Sequence, residues 1–168
     1  MPKTVDSFRH LNGVTRRVIE TWIKMETPRP IPWTPMPRPL AECNVALLSS
    51  GGIALKSDLP FDQAGERANP WWGDPSYRLI PKSATEEDIE VYHLHINPGY
   101  ARKDLNCLLP LGRLQELADC GEIGRAADSH YSIMGYLPNP ETMLRESVPA
   151  IIADLKREKV DLLVLVPS

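Results

Sequence analysis

The sequence predicts a three-layer α/β fold with a mostly parallel sheet, preceded by an N-terminal helix and a proline-rich arm. Two short apolar runs, at 44–50 and 161–167, have the length and composition of buried strands. A helical pattern over 140–158 precedes the second run, and a helix between strands favours a right-handed crossover that joins parallel strands. A chain of 168 residues suits one domain of this kind.

The first 42 residues are predicted to extend an α/β domain that occupies 43–168. A helix is expected over 4–27, begun by Asp6 or Ser7. We expect its apolar stripe to pack on the domain or on a partner subunit; the stripe comprises Phe8, Leu11, Val14, Val18, Trp22 and Met25. PRPIPWTPMPRP follows as an extended arm at 28–39, either a stiff connector or a ligand for a proline-binding module.

The first half of the predicted domain contains a loop and a strand. Residues 56–83 hold many turn formers and are predicted to form one long ordered loop. IEVYHLHI, at 89–96, alternates in the way a strand does, and this places His93 and His95 on one face.

The second half is predicted to be mainly helical before its final strand. A short helix over 111–121 is ended by Gly121. Asn139 caps the helix at 140–158, and Pro149 is expected to kink it.

Composition and charge exclude several classes of partner. The net charge of −3 predicts no binding to nucleic acid or to an anionic membrane surface. No apolar stretch approaches the roughly 20 residues that cross a bilayer, and the N-terminus has no signal-peptide core, so a cytoplasmic protein is expected. Cys43, Cys107 and Cys120 form no CxxC, and we expect three free thiols in small packing positions.

The turn Ser49-Ser50-Gly51-Gly52 is the first candidate site. It follows a predicted strand, at the edge of an open α/β sheet where ligands bind. Its glycines would let the backbone approach a substrate carboxylate, and its serines add hydroxyl groups. The alternative is a tight turn that needs a positive φ, because the segment is neither a P-loop nor a GxGxxG motif.

Three histidines and one aspartate form the second candidate site. His93, His95 and His130 could donate protons near neutral pH, and Asp104 lies nearby in NPGYARKDLN. The histidines could instead ligate zinc in a hydrolase, although the sequence shows no clear fourth ligand and we assign no metal. A third interpretation is that they are half-buried, hydrogen-bonded histidines without chemistry.

Several ordered motifs together resemble a known family. The chain contains LLSSGGIALKSDLPFD, GDPSYRLIP, HLHI followed by DLN, LPLGRLQELADCGEIG, HYSIMG and DLLVLVP. In this order, over roughly 43–168, they resemble the selenoprotein B-type subunit of the glycine/sarcosine/betaine/D-proline reductases. The D-proline reductase-like branch is the most similar, and the first 42 residues show no match.

The resemblance implies a reductase subunit that cleaves the bond between an α-carbon and nitrogen. In such subunits a selenol or thiolate attacks the activated carbon, and a second thiol closes the oxidised form. The redox pair, UxxC or CxxC, follows the strand that matches DLLVLVP. We therefore expect selenocysteine or cysteine directly after Ser168, and no other cofactor in the chain. Two explanations for the end at Ser168 compete: a selenocysteine UGA codon read as a stop, which we favour, or a trimmed or non-redox relative. Without that residue the 168-residue chain is expected to be inactive.

The resemblance also implies partners. Other reductase subunits are expected, among them a pyruvoyl-containing one that activates the substrate, a small amine or amino acid.

The predicted wall of the pocket consists of the Ser49–Gly52 turn, His93, His95, Asp104 and His130. An exposed final strand predicts a homo-oligomer. The alternatives are a non-catalytic assembly subunit, which docks through 1–42, and the zinc hydrolase.

Overall fold

The computed structural model describes residues 8–9, 11–25, 30, 32–69 and 71–168. The chain divides into two compact units, Met1–Pro35 and Met36–Ser168. Among the described residues, no helix combines the length and apolar character needed to cross a bilayer.

The N-terminal unit contains helix α1, Gly13–Met25. Oδ1 of Asn12 accepts hydrogen bonds from the backbone N–H groups of Val14 and Thr15, and so caps the helix. The helix thus begins later than predicted, and the predicted caps Asp6 and Ser7 lie outside the described residues. No residue of α1 is buried. The large exposed side chains of the predicted stripe are Leu11, Val14, Val18, Trp22 and Met25.

The main sheet of the second unit is centred on β1, Asn44–Ser49. On one side, β1 pairs in parallel with β5, Arg125–Ala126, and then with β6, Ser129–Ile133. On the other side it pairs in parallel with β7, Leu162–Val166, along five residues. The predicted strands at 44–50 and 161–167 are confirmed, and so is their parallel arrangement.

An antiparallel strand makes the sheet mixed. β3, Tyr77–Pro81, pairs antiparallel with β6 from Tyr77 opposite Ile133 to Pro81 opposite Ser129. A separate two-stranded sheet joins β2, Ile53–Leu55, to β4, Ile89–Val91.

The predicted loop and strand in this half of the domain were partly wrong. Residues 56–83 contain the short helix α2, Gln63–Ala68, and strand β3. The predicted strand at 89–96 ends at Val91, and a turn at 94–95 replaces its second half. Beyond Val91, the N–H of Tyr92 donates to the carbonyl of Gly52, and the carbonyl of Tyr92 accepts from Nε2 of Gln63.

Helices cover both faces of the main sheet. The short helix α3, Pro98–Ala101, leads to a 3₁₀ turn at Leu105–Cys107 and to α4, Leu111–Asp119. On this face Leu111 and Leu114 share one buried apolar cluster with strand residues such as Val45. Gly121, with φ of 74°, ends α4 as predicted.

The helix before β7 covers the opposite face and has a π-helical turn just before Pro149, where the sequence predicted a kink. Asn139 Oδ1 accepts from the N–H of Glu141, which confirms the predicted cap. A π-helical turn at Met143–Ser147 then leads directly into α5, Val148–Arg157. Pro149 has no N–H to donate, so the widened turn is the distortion that lets the helix continue through the proline.

Candidate functional site

The Ser49–Gly52 turn lies where two parallel strands end side by side. β1 ends at Ser49 and β7 at Val166, and these two residues are paired in the sheet. The N–H of Ser50 donates to the carbonyl of Val166 at 3.1 Å. The N–H of Ser168 donates to Oγ of Ser50 at 2.9 Å. The chain therefore leaves β7 in contact with the predicted turn.

The backbone donors of this turn are all used within the protein. Besides the Ser50 bond, the N–H of Gly51 donates to Ser49 Oγ at 3.0 Å, and that of Gly52 to the carbonyl of Ile133 at 2.9 Å. Gly52 has φ of 61°, a conformation that favours glycine. The geometry therefore favours the tight-turn interpretation over a backbone cradle for a carboxylate. The Ser50 hydroxyl oxygen accepts from Ser168, and its O–H can still donate a hydrogen bond.

Two glycines let His93 lie against the turn. A Cβ atom on Gly52 would come within 3.0 Å of the backbone nitrogen of His93. One on Gly135 would come within 2.7 Å of His93 Nε2 and 2.8 Å of the Ser50 carbonyl oxygen. His93 and Ser50 therefore both flank Gly135, and glycine is required because any side chain would collide with them.

His93 and His95 lie close together, as predicted, but in a turn and not on a strand face. Nδ1 of His93 accepts a hydrogen bond of 3.1 Å from the backbone N–H of His95. The two ring centroids are 5.8 Å apart. Burial of His93, with a smaller contribution from His95, lowers the pKa of His93 below its ordinary value. His93 is therefore a neutral, anchored group at neutral pH.

His95 is the exposed member of the pair, and it has a carboxylate neighbour that the sequence did not reveal. Its side chain is 61% exposed, whereas the side chain of Glu66 is 3% exposed. Nε2 of His95 lies 3.5 Å from Oε1 of Glu66. The ring of Tyr136 lies 5.3 Å from that of His95. We call Ser50, Glu66, His93, His95 and Tyr136 the edge cluster.

His130 has a different environment, inside the sheet. Its Nδ1 accepts a hydrogen bond of 3.0 Å from the backbone N–H of Leu47. Leu47 lies in the middle of β1, after the residues that pair with β5 and before those that pair with β6. Burial lowers its pKa to about 4, so the ring is neutral at neutral pH. Its contacts correspond to the interpretation of a hydrogen-bonded histidine within the core, and a proton-donating role for it stays a prediction.

Asp104 and Ser49 also have local structural contacts. Asp104 Oδ1 accepts from the N–H and the Nδ2 of Asn106 and caps the turn at Leu105–Cys107. These bonds lower the pKa of Asp104. Ser49 is fully buried and donates to the carbonyl of Leu108 at 2.7 Å, which ties that turn to the sheet edge.

The thiols and the candidate metal ligands do not form a centre. Within the part of the chain that the structure describes, no three histidine, cysteine or acidic side chains converge in a way that could hold a metal ion. The zinc hydrolase therefore has no ligand geometry to support it. Cys43 is buried as predicted, but Cys107 and Cys120 are exposed, which corrects the expectation that all three fill packing positions.

An open groove of about 1080 Å³ is lined in part by Gln63, Ala64 and Arg67 of α2 and by none of the predicted site residues. Two arginines line the groove, Arg67 and Arg78. The guanidinium of Arg78 is used within the protein, because it donates to the carbonyls of Leu59 and Pro60 and lies 4.1 Å from the centre of the Phe61 ring. We therefore place the candidate site at the edge cluster, where polar groups meet the end of β7.

The fold and the site together define an α/β protein whose polar cluster lies at the carboxyl ends of adjacent parallel strands. Comparison with known proteins gives the family. A sequence model of glycine/sarcosine/betaine reductase selenoprotein B matches residues 10–168, and the chain belongs to this family. The match begins well before residue 43, where the motifs alone had placed its start.

Curated relatives are subunits of reductase complexes. The chain is 34% identical to D-proline reductase subunit gamma of Acetoanaerobium sticklandii over 139 residues, which cover 83% of this chain and 54% of the relative. It is 30% identical to glycine reductase complex component B subunit gamma of Carboxydothermus hydrogenoformans over 135 residues, 80% of this chain and 30% of the relative. The chain thus spans about half or less of these relatives. No solved structure matches.

Proposed function

We propose that this chain is part of a reductase subunit that cleaves a carbon–nitrogen bond of an amino acid or related amine with a selenol or thiol. The family and the names of the relatives support a role in a reductase complex. The observation that carries the proposal is the bond between the Ser168 N–H and Ser50 Oγ, because it directs the continuing chain to the edge cluster.

The redox residue is proposed to follow Ser168 directly, as selenocysteine or cysteine. Its selenolate or thiolate attacks the activated carbon, and the nitrogen leaves with the electron pair of the broken bond and takes up a proton. A second thiolate then attacks the selenium or sulfur, so the carbon leaves with an electron pair and is protonated. The two protein groups are left as a selenenylsulfide or disulfide, and an external dithiol reduces them.

The substrate is proposed to be activated by another subunit of the complex, one that carries a pyruvoyl group. We propose that the Ser50 hydroxyl, whose oxygen accepts from Ser168, donates its proton to a substrate carboxylate. His95, whose side chain is exposed, is proposed to deliver a proton.

The test is an activity assay of the full-length protein with its partner subunits and an excess of dithiol. Glycine, sarcosine, betaine and D-proline are supplied separately, and the reduced product is measured. We expect turnover of at least one, and its loss when the residue after Ser168 is replaced by serine. Turnover of none of the four, or unchanged turnover in the serine variant, would contradict the proposal.

A non-catalytic assembly role is the second candidate, and the exposed apolar side chains of α1 favour it. Trp22 and Val18 are 60% and 51% exposed, so these side chains are available to a partner. Trp22→Ser is expected to reduce co-purification of the other subunits with the full-length protein. The neighbouring change Thr21→Ser is the matched control and should leave the co-purified amounts unchanged.

A further inference from the structure

Glu66 is a buried carboxylate without a hydrogen bond. Its residue is 5% exposed, and neither carboxylate oxygen has a hydrogen-bond partner among the described residues. It lies in α2, a helix of six residues whose N-terminus is capped by Asp62. An unpaired carboxylate in such a position is costly, so the site calls for a proton or a cation beside it.

The group beside the carboxylate is the imidazole of His95. Its Nε2 atom is 3.5 Å from Oε1 of Glu66, slightly longer than a normal hydrogen bond. Burial raises the pKa of Glu66 and is the largest effect on it. The charges of His95 and Arg67 lower this pKa, and the effect of His95 is the larger of the two. The carboxylate and the imidazole are therefore electrostatically linked.

The exposed ring of His95 has two other rings beside it, and a hydrogen bond fixes the backbone of the residue. The backbone N–H of His95 is fixed to Nδ1 of His93, and the rings of His93 and Tyr136 lie against it. Because Nε2 faces the carboxylate, Nδ1 is on the opposite side of the ring. A carboxylate behind a histidine selects the tautomer and orientation of the ring.

We propose that Glu66 positions His95 through Nε2–H, so that Nδ1 of His95 donates a proton to the amine that leaves during reductive cleavage. This inference rests on the proposed function. As the carbon–nitrogen bond breaks, the nitrogen takes its electron pair and the proton from Nδ1. The ring is then neutral, and its remaining proton stays on Nε2, directed at the carboxylate of Glu66. Nδ1 regains a proton from solvent because the His95 side chain is exposed. His95 is the proton donor, and Glu66 is a positioning residue.

The pair is tested first without catalysis, by NMR on the full-length protein. We expect the nitrogen chemical shifts of His95 to report the Nε2–H tautomer in its neutral form, and a mixture of tautomers in Glu66→Gln. We also expect the carboxyl carbon of Glu66 to titrate above its ordinary range, and higher still in His95→Gln, since the opposing effect of His95 on the Glu66 pKa is lost. Glu116→Gln, at an exposed position in α4, is the control for the loss of one charge.

A catalytic readout links the pair to the reaction. We expect kcat to fall about 100-fold in His95→Gln and about 10-fold in Glu66→Gln, with a changed pH profile and little change in KM. Glu66→Asp should recover part of the loss. Circular dichroism verifies that each variant is folded.

The outcomes separate the two proposals. Neutral His95 as the Nδ1–H tautomer, or unchanged shifts in Glu66→Gln, would overturn the pair even if the full-length protein is an active reductase. A protein without reductase activity whose NMR spectra show the pair would overturn the proposed function and, with it, the role of the pair in proton delivery. Unchanged kcat in His95→Gln would overturn that role alone.

Discussion

The backbone N–H of Ser168 donates a hydrogen bond of 2.9 Å to the hydroxyl oxygen of Ser50. The bond joins two segments that are 118 residues apart in sequence. It fixes the point at which the chain leaves β7, beside the Ser49–Gly52 turn. In this turn the carbonyl oxygen of Ser50 lies against Gly135, and Nε2 of His93 lies against the same glycine.

Removing the Ser50 hydroxyl should loosen the end of β7. Ser50→Ala deletes the acceptor for the Ser168 N–H, and we expect a loss of about 1 kcal/mol in the free energy of unfolding. Amide hydrogen exchange at Ser168 should become faster, while exchange in the middle of β1 stays slow. Ser57→Ala, at an exposed position, is the matched control. Unchanged exchange at Ser168 would show that the bond does not hold the strand end.

The turn should reject a side chain at Gly52 more strongly than an ordinary left-handed glycine does. In Gly52→Ala the new Cβ would lie 2.7 Å from the sulfur of Met134, in addition to the strain of φ at 61°. We expect a loss of about 3 kcal/mol by urea unfolding, from strain and overpacking together. Gly121→Ala is the control, because φ is 74° there but nothing lies within 4 Å, and about 1 kcal/mol is expected. Equal losses at the two positions would contradict the close packing of Met134 and His93 against Gly52.

His130 should make the fold sensitive to acid. Its pKa falls from 6.5 to about 4 on folding, so between these values the unfolded chain binds more protons than the folded one. The contribution of His130 to the free energy of unfolding is therefore fully present above pH 6.5. It is lost as the pH falls to 4, and the total loss is about 3 kcal/mol. The charged groups that affect it are Glu158, Lys82 and Asp128.

The measurement for His130 is the free energy of unfolding at several pH values between 4 and 7. His130→Gln keeps an acceptor for the Leu47 N–H but has no proton to gain, so its curve should be flatter than that of the wild type over this window. Parallel curves for the two proteins would show that His130 is not neutral in the folded state.

The outer edge of β7 should promote self-association of the 168-residue chain. Among the described residues β7 pairs with β1 on one side, and Leu165 and Val164 are 66% and 39% exposed. We expect light scattering to show dimers or larger species that become fewer in Leu165→Lys, because a charged residue at a strand edge opposes pairing with another chain. Leu59→Lys, at a position 81% exposed outside the strands, is the control. A clean monomer at high concentration would contradict this prediction.

The sequence predicted those elements whose signals are local. β1 and β7 are continuous apolar runs, Gly121 ends α4, and Asn139 caps the helix before β7. Pro149 predicted a distortion, although the sequence does not distinguish a kink from the π-helical turn that is present. These features depend on backbone chemistry within a few residues.

The features that were missed depend on distant partners. β3 lies among turn formers and becomes a strand because β6 supplies its hydrogen bonds. Glu66 lies in a short helix without an apolar period, and only the fold brings it to His95. His130 accepts from Leu47 because β1 changes partners there, and nothing in SHYSIMG indicates that change.

The proposed selenol or thiol chemistry is tested most directly by the identity and reactivity of the residue after Ser168 in the full-length protein. The protein is reduced, alkylated with iodoacetamide at pH 6, digested and analysed by mass spectrometry. We expect a selenocysteine or cysteine directly after Ser168 that is alkylated before Cys107, because partial desolvation and the neighbouring Asp104 raise the pKa of the Cys107 thiol. A different residue at that position, or a selenol or thiol there that reacts no faster than Cys107, would contradict the account.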